Sequence, residues 1–90
     1  MIKTYLQSIL NNSLKKLGIA EQNIQLDTPK DEKHGDVTTN LALPLAKELK
    51  QKPRDIAQNI VDNLEYNHEI ISKIELAGPG FINFFIADSY

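Results

Sequence analysis

In the run AGPGFINFFI (77–86), Phe81, Asn83 and Phe85 alternate with Ile82, Phe84 and Ile86. A strand would set the first three on one face and the second three on the other. A ring, an amide and a second ring on one surface suit a stacked heteroaromatic base, because the ring is a platform and the amide offers a donor and an acceptor to a base edge. The same pattern serves a covered face, where aromatics pack against another domain or a long loop. The residues alone leave both readings open. A second candidate is the cation group Lys47, Lys50, Lys52 and Arg54, a patch able to meet phosphates. Glu48 and Asp55 lie among those four, so two solvated helix ends explain them as well.

Catalysis has less to build on. His34 lies in KHGD, where Gly35 permits a tight turn and Asp36 is placed to orient the imidazole, but no serine or cysteine nucleophile is near. As a metal site, His34 with Asp31, Glu32 or Asp36 is a loose surface cluster without ligand spacing. The chain contains no GxxxxGK[ST], GxGxxG or HExxH. The glycines of AGPG lead into a strand, not a helix, so they do not form a helix N-terminal phosphate cradle. No catalytic residue, metal ligand or cofactor is therefore assigned to these 90 residues, which look unable to carry a reaction alone.

Bulk properties narrow the class. The chain has no cysteine, which excludes disulfides and thiolate metal sites and fits a reducing compartment. No apolar stretch approaches membrane-spanning length. The first residues, MIKTYLQSILNNSLKKLG, are periodic and do not read as a secretory signal. A net charge of -2 argues against wrapping nucleic acid over the whole surface but leaves room for a local basic patch.

The elements that must position these residues follow from periodicity. Ile2, Leu6, Ile9, Leu10, Ser13 and Leu17 fall on one side of a helix that ends at Gly18, with Lys15 and Lys16 in its last turn. Asn23–Leu26 alternates and predicts a short strand with Ile24 and Leu26 inward. Residues 27–36, DTPKDEKHGD, are a polar surface loop. Asp36 is expected to cap a helix beginning near Val37, with Val37, Leu41, Leu45 and Leu49 as its stripe. Pro44 interrupts that pattern: either the helix is kinked or in two parts, which is preferred, or Val37 to Leu43 is an irregular lead-in to a helix starting at Pro44.

A further helix opens at Pro53, with Asp55 in its first turn and Ile56, Ile60 and Leu64 as its apolar face. Ile71–Leu76 and Phe81–Ile86 are the last two strands, antiparallel if Gly78-Pro79-Gly80 reverses the chain. The sum predicts one α+β domain over 1–90, a small antiparallel sheet with helices packed on one face. The Ile82 face is expected to meet the helices and the Asn83 face to look outward.

Three stretches together resemble the N-terminal additional domain of arginyl-tRNA synthetases: HGDVTTNLALPLAK (34–47), KPRDIAQNIVDNL (52–64) and IELAGPGFINFFI (74–86), in the family's order and at its separations. With the leading helix, the resemblance covers essentially the whole chain. It implies a parent enzyme that attaches arginine to tRNA(Arg) with ATP and Mg2+ in a class I catalytic domain bearing HIGH-like and KMSKS-like signatures. Neither signature is in this chain. The 1–90 segment is thus expected to be a single tRNA-recognition domain, with the catalytic domain downstream as its partner in cis. The setting implied is cytoplasmic, with neither DNA nor membrane as partner.

In that family the domain touches the D-loop corner of the tRNA through an aromatic and an amide after the Gly-Pro turn, which resemble Phe81 and Asn83. A further family contact would fall near Ala77 or Gly78, where this chain has no polar side chain. HGD is expected to be a structural loop and helix start. Two other functions are weighed: a brace that stabilises the synthetase with little tRNA affinity, and a free-standing protein-interaction module.

Overall fold

The computed structural model describes residues 2–88 and 90. The element order is α1 (Ile2–Lys16), a 3-10 turn (Glu32–His34), β1 (Val37–Thr39), α2 (Ala42–Leu49), α3 (Pro53–Asp62), β2 (Ile71–Ala77) and β3 (Phe81–Ile86). The sheet runs β1-β3-β2, antiparallel throughout. The expected α+β architecture is the one observed.

Why these residues form these elements is legible at both ends of the chain. α1 buries Leu6, Ile9, Leu10, Ser13 and Leu14. Leu14 lies outside the stripe expected from sequence, because the buried face is wider than a single ridge. Buried Ser13 donates its hydroxyl to the Ile60 carbonyl at 2.6 Å, tying α1 to α3. At the helix end Gly18 has φ +76° and Ile19 N–H reaches back to the Leu14 carbonyl at 2.9 Å, a Schellman-type cap. α3 starts on Pro53 and buries Ile56, Ala57 and Ile60, as its pattern requires. In β3, Ile82 and Phe84 are fully buried against the helices.

The middle of the chain differs from expectation in two places. Residues 23–26 do not form a strand of the sheet. Ile24 and Leu26 do turn inward, but the segment's β contact is one isolated bridge, Asp27 to Thr38. A single bridge lacks the ladder that would make the segment a fourth strand.

The second difference is at Asp36. It does not cap a helix, because Val37–Thr39 is strand β1, paired Val37 to Phe84, Thr38 to Asn83 and Thr39 to Ile82. Three β-branched residues in a row favour the pleated state over a helix, and β3 supplies the partner. The Asp36 carboxylate instead accepts the Ile86 N–H at 2.8 Å, while Asp36 N–H donates to the Phe84 carbonyl at 2.9 Å. α2 then begins at Ala42, so Pro44 falls in the first turn, where its missing N–H has no intrahelical partner to lose. No kink is needed. The lead-in alternative was closer than the kinked helix, with a strand in place of irregular chain.

Candidate functional site: a ring-and-amide pocket on the outer sheet face

β3 is the central strand, so its outward residues have neighbours on both sides. Asn83 is flanked by Glu75 on β2 and Thr38 on β1, and Phe81 by Ala77 on β2. The chain enters β3 through Gly78-Pro79-Gly80. Gly78 takes φ +53°, and a Cβ on Gly80 would lie 2.9 Å from Pro53 Cβ, so this turn is pressed against the start of α3. Arg54 completes the contact, its guanidinium donating to the Gly78 carbonyl at 2.8 Å.

The 27–36 loop folds over the same outer face. A Cβ on Gly35 would lie 2.7 Å from the Phe84 carbonyl oxygen, and Gly35 has φ +91°, so only glycine lets the loop lie this close to β3. Between the loop and the β2–β3 hairpin is an open pocket of about 250 Å³ lined by Pro29, His34, Thr38, Ala77, Phe81 and Asn83. The volume is below the ~300–1,000 Å³ typical of drug-sized ligands and suits one small heterocycle.

Asn83 was expected to face solvent, but it is 3% exposed. The long loop covers it, which accounts for the covered-face reading and leaves the pocket as its opening. The amide oxygen accepts the Thr38 hydroxyl at 2.6 Å. The amide nitrogen has no acceptor among the described residues. Among those residues no fully buried side-chain polar atom lacks a partner, so that nitrogen is not sealed. It is a donor left open on a residue that lines the pocket and whose amide oxygen is held by Thr38. Phe81, half-buried on the adjacent wall, supplies the ring face. Phe85 lies outside the pocket lining, with Lys73 Nζ 4.3 Å from its ring centroid.

The four cations do not converge on the pocket. Arg54 is committed to the hairpin turn. Lys50 and Lys52 border a shallow groove of about 590 Å³ that Asp55 also lines, and Lys47 borders a mostly apolar groove beside Leu43, Pro44 and Pro53. Lys47, Lys50 and Lys52 are exposed, and none forms an ion pair among the described residues. Sequence reasoning missed Thr38 and Pro29. Thr38 was hidden by the helix expected over 37–43; the signal available was the run Val37-Thr38-Thr39. Asp36 does not orient His34, since its carboxylate is used on Ile86, and Asp31 is used on the Lys33 N–H at 2.9 Å.

A three-stranded antiparallel sheet with helices on one face and a small ring-and-amide pocket on the other defines a compact α+β domain. The particular family follows from comparison with known proteins. The sequence model of the family described as "Arginyl tRNA synthetase N terminal domain" matches residues 4–86. An arginine–tRNA ligase of Shewanella piezotolerans is 47% identical over 98% of this chain, and one of Staphylococcus aureus is 43% identical over 99%. The chain spans 16% of the length of each.

Among solved structures, the arginyl-tRNA synthetase of Thermus thermophilus superposes with a TM-score of 0.82 at 28% identity, over 96% of this chain and 14% of that one. The Plasmodium falciparum enzyme matches in fold, with a TM-score of 0.81 at 22% identity over 99% of this chain and 16% of that one. The chain belongs to the arginyl-tRNA synthetase N-terminal domain family.

Proposed function

We propose that this chain is the tRNA-recognition domain of an arginine–tRNA ligase, taking one base of the D-loop corner of tRNA(Arg) into the pocket under Phe81 and Asn83. A class I catalytic domain following in cis would form arginyl-tRNA with ATP and Mg2+, in the cytoplasm, and the 90 residues themselves would contribute binding and no chemistry. One observation carries the reading: the amide nitrogen of Asn83 is an oriented, unpartnered donor at the floor of a pocket walled by an aromatic ring. A ligand that seals the pocket buries this donor, and leaving it unpaired is costly, so a base offering an acceptor on its edge is favoured over one that does not. Phe81 adds a stacking face, worth ~1–3 kcal/mol per base in single-stranded sites.

The test is tRNA(Arg) affinity in the ligase that carries this chain. Asn83→Asp keeps an oxygen for the Thr38 hydroxyl but removes the donor, and is expected to weaken binding by about tenfold, as is Phe81→Ala, on the magnitudes above. Unchanged affinity in both variants would reject the base-pocket reading. A brace that adds stability and little tRNA affinity is the second reading. It is favoured by Arg54, which spends its guanidinium on the hairpin, and by the burial of Asn83. It predicts that both variants lower the unfolding temperature and leave tRNA affinity where it was.

A further inference from the structure

We infer that His34 is a further base-binding residue of this pocket, its imidazole covering the seated base from the side opposite Phe81. The inference rests on the pocket being a base site. His34 and Pro29 reach the pocket from the loop, Ala77 and Phe81 from the hairpin, with Thr38 and Asn83 between them. A flat ring entering toward the Asn83 amide therefore meets the phenyl ring on one side and the imidazole on the other.

The backbone beneath His34 is held on every side while its ring is left free. His34 N–H donates to the Asp31 carbonyl at 3.0 Å and Gly35 N–H to the Glu32 carbonyl at 3.1 Å, closing the 3-10 turn. Asp31 fixes the start of that turn through the Lys33 N–H. Asp36 fixes its end to β3 through two bonds, to the Phe84 carbonyl and from the Ile86 N–H. Gly35, pressed on the Phe84 carbonyl, sets the height at which the preceding residue stands above the sheet.

The imidazole itself is exposed and makes no hydrogen bond or ring contact among the described residues. His68 provides the contrast: its ring packs at 4.6 Å on that of Tyr66, within the chain. A loop built this rigidly to present an unengaged aromatic ring at the mouth of a pocket of one-heterocycle size is placed to cover a second ring. An aromatic cover tolerates replacement by another ring and is lost with an amide, which separates it from a hydrogen-bonding role.

Equilibrium binding is measured in the ligase that carries this chain, with tRNA(Arg) intact and with single abasic sites scanned through the D-loop. On intact tRNA, His34→Ala is expected to weaken binding about fivefold to tenfold, His34→Gln to match it, and His34→Phe to stay within about twofold of wild type. At the abasic position that weakens the wild type, His34→Ala should cause no further loss. Thermal unfolding of all three variants should match the wild type at this exposed position. Wild-type affinity in His34→Ala, rescue by Gln and not by Phe, or a full additive loss on the abasic tRNA would each overturn the role of His34 while leaving the pocket reading intact. If no abasic position weakens the wild type, the pocket reading itself falls, and the inference with it.

Discussion

Asn83 and Ile82 are sequence neighbours on opposite sheet faces, and both are buried for different reasons. Ile82 fills the core beneath the helices, so Ile82→Ala opens a cavity and is expected to cost ~2–5 kcal/mol of stability. The tRNA affinity of the fraction that remains folded should not change; thermal unfolding beside a binding titration checks both. Asn83→Ala differs from the isosteric aspartate change, because it removes the nearer acceptor of the Thr38 hydroxyl at 2.6 Å and leaves it the Ile82 carbonyl at 3.3 Å, and is expected to cost ~0.5–1.5 kcal/mol. Strand alternation alone assigned the two faces, since period two needs no knowledge of the partner strands. It could not reveal that Asn83 is covered, because the cover is a loop about 50 residues earlier in the chain, held there by Asp36 and Gly35. His34 was likewise visible as a residue type and not as a pocket wall.

At the scale of elements, α1, α3 and the β2–β3 hairpin were readable because each carries its own periodic signal and its own stop. β1 was not. It is three residues long, and its strand state depends on pairing with β3, some 45 residues away, rather than on local pattern. The same misreading made Pro44 look like a kink; with the helix starting at Ala42 it is a first-turn residue.

α2 ends in the same device as α1, but with lysine where α1 has glycine. Lys50 takes φ +55°, and Gln51 N–H returns to the Ala46 carbonyl at 3.1 Å. A side chain in that conformation costs ~1–2 kcal/mol that glycine avoids. Lys50→Gly is therefore expected to raise stability by about 1 kcal/mol in denaturant unfolding, after allowing for the wider freedom of glycine in the unfolded chain.

For the molecule as a whole, charge and shape give different instructions to a polyanion. The net charge is -2, yet the α2–α3 junction presents Lys47, Lys50 and Lys52 exposed and free of ion pairs among the described residues, and Pro53 and Arg54 link that junction to the hairpin that carries Phe81. If tRNA phosphates run along this side, neutralising any one of the three lysines should weaken binding regardless of sequence and flatten its salt dependence by about one contact. Arg54→Ala should behave differently, lowering stability through the lost bond to the Gly78 carbonyl. Salt titrations of the four variants separate these outcomes. A slope that stays constant across the three lysines returns them to solvated helix ends.

The clamp that Asp36 makes on β3 has a consequence for how this protein ages in a cell extract. A polar loop carrying Lys30 and Lys33 is the kind of segment that trypsin-like proteases nick first. Cleavage requires the backbone to leave its resting path and lie extended in a protease cleft. Here that path is anchored at both ends, by Asp27 to Thr38 and by Asp36 to the Phe84 carbonyl and the Ile86 amide, so drawing the loop out into a cleft strains its hold on β1 and on the central strand. The rate of nicking at these lysines is thereby a gauge of how often those anchors let go, and a ligand that seals the pocket would slow digestion at a site it need not touch.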